Sequence, residues 1–227
     1  MAMSEVWAIL VAAGRGERLA ADRPKAFVAF NGRPLLAESL SRLDANESID
    51  NVVVVAPVGW EEPAILCAEE ESASKVVACV TGGDTRADSV RAGVAEVPDE
   101  ARVILIHDAA RPLVTEAVVS RVLEALDEHG IDGAVPGLAI PDTIKQTAAG
   151  LIERTVPRDG LFAVQTPQAF RAEVFRRVLA ETRESPTDCA GLVEAAGGRV
   201  RVVAGDRCLA KVTTRADLEF VEELARR

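Results

Sequence analysis

Residues 10–27 read LVAAGRGERLAADRPKAF and put Gly14 and Gly16 beside cations at Arg15, Arg18 and Lys25. Small residues at Ala12, Ala13, Gly14 and Gly16 let backbone N–H groups approach a ligand and point at anionic oxygens. Arg18 and Lys25 are then poised over a phosphate, with Pro24 fixing the approach of the lysine. A dinucleotide-binding turn needs a third glycine where this chain has Leu19, and a P-loop needs Gly-Lys-Ser/Thr after its second glycine. Both motifs are absent, which leaves a phosphate-cradling loop.

Three further positions invite chemistry. Asp108 follows the apolar run VILIH, and the carboxyl end of a parallel strand opens onto a ligand crevice. A lone carboxylate there suits Mg²⁺ or another divalent cation, which takes one or two carboxylates plus phosphate oxygens and water. The competing reading pairs Asp108 with Arg111. His107 reads as a core residue and not as a base. Gly82, Gly83 and Asp84 form a turn whose backbone can face a base edge or ribose, and Ser89 adds a hydroxyl. Lys211 lies between Ala210 and Val212, so its ammonium is expected to enter a pocket; it is one of four lysines, with Lys25, Lys75 and Lys145, in a chain that otherwise uses arginine.

These residues sit in a chain of 227 with 36 acidic and 26 basic side chains, a net charge of −10. That balance argues against nucleic acid and anionic lipid as partners, so a phosphate-bearing ligand must be held by a few local cations. Tyr is absent and the only histidines are His107 and His129, which removes phenol chemistry and disfavours a His-rich metal site. Cys67, Cys79, Cys189 and Cys208 form no C-x-x-C pair and read as small packing residues. No stretch approaches the ~18 apolar residues of a spanning helix, and residues 1–5 carry no basic signal region. The expectation is a soluble cytoplasmic protein.

Short apolar runs alternate with segments of helical period, the rhythm of a single Rossmann-like α/β domain over 1–227 with a mostly parallel twisted sheet flanked by helices. Strands are expected at 6–12, 52–56, 76–81, 103–107, 134–136 and 200–204. Helices are expected at 34–43, 86–97, 115–129 with Thr115 as N-cap, 172–182, 188–196 and 215–225, the last opened by a weak capping box of Thr214 and Asp217. Over 137–166 the helical period disappears. There, 142–146 and 152–156 alternate around Ala148-Ala149-Gly150, predicting a protruding β-hairpin arm.

The run Gly14-x-Gly16-x-Arg18 with Pro24-Lys25 resembles the nucleotidyltransferases that join an NTP to a phosphorylated sugar or polyol. Gly82-Gly83-Asp84-Thr85-Arg86 with Asp88-Ser89, His107-Asp108-Ala109-Ala110-Arg111-Pro112, and Lys211-Val212-Thr213 narrow the resemblance to the methylerythritol-phosphate cytidylyltransferases of the non-mevalonate isoprenoid pathway. It covers nearly the whole chain in order, and the H-D-A-A-R-P segment is its most specific part. The resemblance implies that Ala12, Ala13, Gly14, Arg15, Gly16, Gly82, Gly83, Asp84, Ser89 and Ala109 hold CTP. Arg18, Lys25, Arg158 and Lys211 are implied to be catalytic. Asp108, Arg111, Thr143, Arg158, Thr187, Lys211 and Thr213 are implied to hold the second substrate. An arm at about 137–166 is implied to reach across a homodimer, so that Thr143 and Arg158 grip substrate in the neighbouring subunit. Thr187-Asp188-Cys189-Ala190 departs from the family, with Cys189 where an acid is usual.

The implied reaction is attack by the phosphate of 2-C-methyl-D-erythritol 4-phosphate on the α-phosphorus of CTP, with pyrophosphate leaving. A phosphate monoester is already anionic and needs no general base, in keeping with the scarcity of His and Tyr. Mg²⁺ at Asp108 would bridge the triphosphate. Pocket shape, not motif, selects among polyol phosphates, so ribitol 5-phosphate is an alternative acceptor. A sugar-1-phosphate or sugar-acid nucleotidyltransferase and a nucleotide-binding module without turnover are the more distant alternatives.

Overall fold

A computed structural model of the chain describes residues 5–14, 16, 19, 22–182 and 188–226. In chain order the first half contains β1 (Val6–Val11), β2 (Ala29–Phe30), β3 (Arg33–Pro34), α1 (Leu35–Asp44), β4 (Asn51–Ala56), α2 (Glu61–Glu70), β5 (Val76–Thr81), α3 (Arg86–Ala95), β6 (Val103–Asp108) and α4 (Glu116–Ala125). The second half contains β7 (Gly133–Ala139), β8 (Ile144–Ala148), β9 (Leu151–Val156), β10 (Phe162–Val164), β11 (Gln168–Arg171), α5 (Ala172–Glu181), α6 (Cys189–Ala195), β12 (Val200–Ala204) and α7 (Arg215–Ala225).

The uninterrupted apolar run VWAILV makes β1 an interior strand, paired in parallel with β4 on one side and β6 on the other. The main sheet follows the order β10-β7-β11-β6-β1-β4-β5, with β12 also on β7. Pairings among the described strands set six of the eight in one direction, while β10 and β11 run against them. Alternation along the strands divides the core into two layers. Ala8, Leu10, Val52 and Val54 face α1, α2 and α4, whereas Ile9, Val53 and Val55 face α3, α5 and α6. A smaller cluster of Phe30, Leu35, Leu113, Val212, Leu218 and Val221 seats α7 beside the loop carrying Lys211.

The predicted hairpin is present: β8 and β9 form their own two-stranded sheet, turned by Ala149 and Gly150, both at positive φ. Several boundaries differ from expectation. The helix expected over 115–129 ends at Ala125, because Leu126 and Asp127 close three-residue turns onto Leu123 and Glu124. Thr115 is the N-cap residue, yet its side chain makes no capping bond. No described helix is long and apolar enough to cross a membrane.

Candidate active site

Because β4 and β6 flank β1, the chain leaves their carboxyl ends in opposite directions and opens a crevice between them. Ala12, Ala13 and Gly14 border it from the end of β1, and Asp108 and Ala109 from the end of β6. Gly83, Asp84, Arg86 and Ser89 close one side; Lys25 and Lys211 reach the same cleft from near the two chain ends.

Local sequence explains each placement. Gly16 has φ +70°, and a Cβ there would meet Lys25 Cβ at 2.6 Å, so glycine is what lets the loop pass the lysine. Lys25 opens a single helical turn, Lys25–Phe27, after Pro24; Phe27 packs on Trp60 with ring centroids 4.6 Å apart. Gly82 is buried behind the cleft, where a Cβ would collide with Ala13 and Ser89. The Ser89 hydroxyl accepts from Gly83 N at 3.2 Å and donates to Thr85 O at 3.1 Å, shaping the turn that presents Gly83 and Asp84. Thr85 and Asp88 complete a capping box at the start of α3, which fixes Arg86 in its first turn.

Asp108 is the electrostatic centre. Its Oδ1 accepts from Arg86 Nε at 3.1 Å and Nη2 at 2.9 Å, and its Oδ2 accepts from Lys211 Nζ at 2.6 Å. Burial opposes ionisation of this carboxyl, but Arg86 and Lys211 outweigh it and hold the group well below the usual carboxylate range. Burial likewise disfavours charge on Arg86, and Asp108 reverses that, keeping the guanidinium protonated. Arg86 Nη1 also donates to Cys189 Sγ at 3.2 Å, and burial pushes that thiol up to about 11, so it is neutral. Arg86 was legible as part of a motif but not as a site residue; nothing in the sequence announces its partner 22 positions away.

The partners of Asp108 are Arg86 and Lys211, not the Arg111 of the competing reading. No group of three or more His, Cys, Asp or Glu among the described residues could hold an ion by itself, so Asp108 would hold Mg²⁺ only together with phosphate oxygens and water. In the fold described, Asp108 anchors two cationic side chains.

His107 is fully buried and is not a base. Asp108 N donates to Thr166 Oγ1 at 3.1 Å, which leaves the Thr166 hydroxyl to donate to His107 Nδ1 at 3.1 Å and His107 Nε2 to donate to Arg111 O at 3.1 Å. That chain fixes the tautomer, and burial lowers the imidazole to about 4. Arg111 does not line the cleft; its Nη1 donates to Leu209 O at 2.5 Å. Thr213 is likewise drawn away, donating its hydroxyl to Asp217 Oδ2 at 2.5 Å. Thr143 and Arg158 are exposed at the base of the hairpin, Arg158 bonding the Pro141 carbonyl, and neither borders this chain's own cleft. Arg15, Arg18 and Thr187 lie outside the described residues.

A cleft lined by three cationic side chains, Lys25, Arg86 and Lys211, two of them paired with Asp108, and by small residues at its mouth, suits a polyphosphate nucleotide and a second anion. A family model described as IspD, 2-C-methyl-D-erythritol 4-phosphate cytidylyltransferase, matches residues 6–227. The chain is 45% identical to the protein of that name from Saccharopolyspora erythraea, over 96% of this chain and 97% of that one. It is 42% identical to a bifunctional IspD/IspF enzyme of Rhodospirillum rubrum, over 99% of this chain but only 58% of the relative. The crystal structure of the cytidylyltransferase from Thermus thermophilus superposes with a TM-score of 0.79 at 34% identity, covering 98% of this chain and all of that one. With the family model spanning residues 6–227 and relatives this similar over nearly their full length, the chain belongs to the 2-C-methyl-D-erythritol 4-phosphate cytidylyltransferase family.

Proposed function

We infer that this chain transfers CMP from CTP to 2-C-methyl-D-erythritol 4-phosphate, giving 4-diphosphocytidyl-2-C-methyl-D-erythritol and pyrophosphate for isoprenoid precursor synthesis. The observation that carries the reading is the convergence of Lys25, Arg86 and Lys211 on the cleft at the β1/β6 switch point. Two anions repel as they approach, so the chemistry asks for positioning and charge neutralisation and not for a protein nucleophile. Lys25, with Arg18 from the same loop, stabilises charge building on the α-phosphate and the departing pyrophosphate. Lys211, braced by Asp108, orients the attacking phosphate. The backbone of Ala12–Gly14 and Gly83–Asp84, with Gly16, Gly82, Ser89 and Ala109, forms the cytidine and triphosphate seat, and Arg15 is a further nucleotide-binding residue. A divalent ion arriving with the triphosphate would be held by Asp108 together with nucleotide oxygens and water, and would supply charge neutralisation there. Thr143 and Arg158 of the arm act on the cleft of a second copy in a cytoplasmic homodimer, and Thr187 is a further substrate-binding residue.

The test is a CTP-dependent pyrophosphate assay with two competing acceptors. 2-C-methyl-D-erythritol 4-phosphate should be turned over in preference to ribitol 5-phosphate. Preference for ribitol 5-phosphate would replace the acceptor, and CTP binding without pyrophosphate from either acceptor would replace the enzyme with a binding module.

A further inference from the structure

We propose that Trp60 is a positioning residue for Lys25; the inference rests on the reading of Lys25 given above. Lys25 stands in a single three-residue helical turn, closed by Phe27 N on Pro24 O at 2.9 Å and Val28 N on Lys25 O at 3.1 Å. So short a turn has no helix of its own to hold it, and its place depends on what packs against it. Two contacts bear on it. The Lys25 root lies against Gly16, where a Cβ would come within 2.6 Å of Lys25 Cβ, and the buried Phe27 ring meets the half-buried indole of Trp60, tilted by 40° with centroids 4.6 Å apart. Trp60 is itself anchored. Its N–H closes a turn onto Pro57 O at 2.9 Å after β4, and its carbonyl accepts from Ala64 N at 3.1 Å as α2 begins. The next residue, Glu61, is tied to β5: its carboxylate accepts from Thr81 Oγ1 at 2.5 Å and its carbonyl from Cys79 Sγ at 3.6 Å. Thr81 leads directly into Gly82 and Gly83, and Gly82 N donates to Ala56 O at 2.8 Å at the end of β4. The start of α2 therefore joins two edges of the nucleotide seat, the lysine turn through Trp60 and the glycine turn through Glu61. A long lysine side chain meets a reacting phosphate reproducibly only if its root is fixed, and a misplacement of about 1 Å can cost about 10²-fold in rate.

The experiment combines a double-mutant cycle with lysine footprinting. Trp60→Ala should lower kcat for pyrophosphate release by roughly 10- to 100-fold with KM for the acceptor within about twofold, and Trp60→Phe, which keeps a ring against Phe27, should recover most of the loss. Trp60→Ala with Lys25→Ala should be no slower than Lys25→Ala alone. Parental kcat in Trp60→Ala, or multiplication of the two defects, would overturn the proposal, because a residue acting elsewhere multiplies. Acylation by an anhydride, read by mass spectrometry, follows the geometry without turnover, since the chain has only four lysines. Lys25 should react several-fold faster in Trp60→Ala, with Lys75 and Lys145 unchanged; equal Lys25 reactivity would also overturn the proposal. Normal turnover by Lys25→Ala would remove the catalytic reading of Lys25 and leave the footprint to decide Trp60. If Trp60→Ala does not fold, Trp60→Leu, which keeps apolar bulk without the ring, replaces it in both measurements, and the same outcomes support or overturn the proposal.

Discussion

Lys25 and Lys211 come from opposite ends of the chain and meet across one cleft, so each can be removed without emptying the core. Lys25→Ala should cut pyrophosphate release by about 10²–10³-fold, the usual effect of losing one preorganised donor, with a melting temperature near that of the parent. Near-normal release would sink the proposed mechanism. His107 makes the opposite prediction, affecting stability and not chemistry. Its folded value of about 4 lies below the ordinary 6.5 because it is buried, so between those pH values only the unfolded chain takes up the proton. Stability is full above pH 6.5 and falls as the pH drops toward 4, by roughly 3 kcal/mol. The depressed Asp108 carboxyl adds a further loss below the ordinary carboxylate range. Denaturant melts from pH 7 to 4 should show this slope in the parent and a flatter one in His107→Gln.

At the level of elements, the last helix secures the lysine loop. Thr214 Oγ1 accepts from Asp217 N at 3.2 Å, while Asp217 Oδ2 accepts from Thr214 N at 2.8 Å and Thr213 N at 2.9 Å. Asp217 therefore satisfies several donors at the start of α7, whose Leu218 and Val221 pack with Val212 next to Lys211. Asp217→Ala should destabilise the protein by about 1–2 kcal/mol, more than Thr214→Ala at about 1 kcal/mol, in thermal melts. An unchanged melting temperature for Asp217→Ala would show the cap to be dispensable. Elements with strong periodicity were legible in sequence: β5, β12 and α7 occupy the predicted 76–81, 200–204 and 215–225. The helix α2 was not, because it buries only Ala64, Cys67 and Ala68, too small a face to stand out among its acids. β10 and β11 were also missed, being short and joined through an irregular stretch.

For the whole molecule, the arm is the feature a single chain leaves unexplained. Leu151 and Ile152 on β9 are 75% and 65% exposed, and Thr143 and Arg158 at its base do not border their own cleft. If the arm serves a second copy, Lys25→Ala and Arg158→Ala chains, each inactive alone, should regain about a quarter of parental activity when refolded together, because half the dimers then contain one intact site. No recovery from a mixture shown to contain heterodimers would place Arg158 outside the shared site. The net charge of −10 belongs to this larger scale too. It excludes polyanions from the general surface while leaving a local excess of cations in the cleft.

The sequence by itself determined what near neighbours decide: the glycine loop and its lysine, the hairpin, the capping box of the last helix, the alternation of strand and helix, and the motifs of the family. Tertiary structure decided which distant side chains meet. Arg86 and Lys211 find Asp108 across 22 and 103 positions, and Arg111 turns to Leu209 across 98. Those pairings follow from strand order, since only the placement of β6 beside β1 brings the end of one strand against the loops of the others. Local preference can specify a turn or a helix start, but the partner of a buried charge is fixed by the sheet that surrounds it.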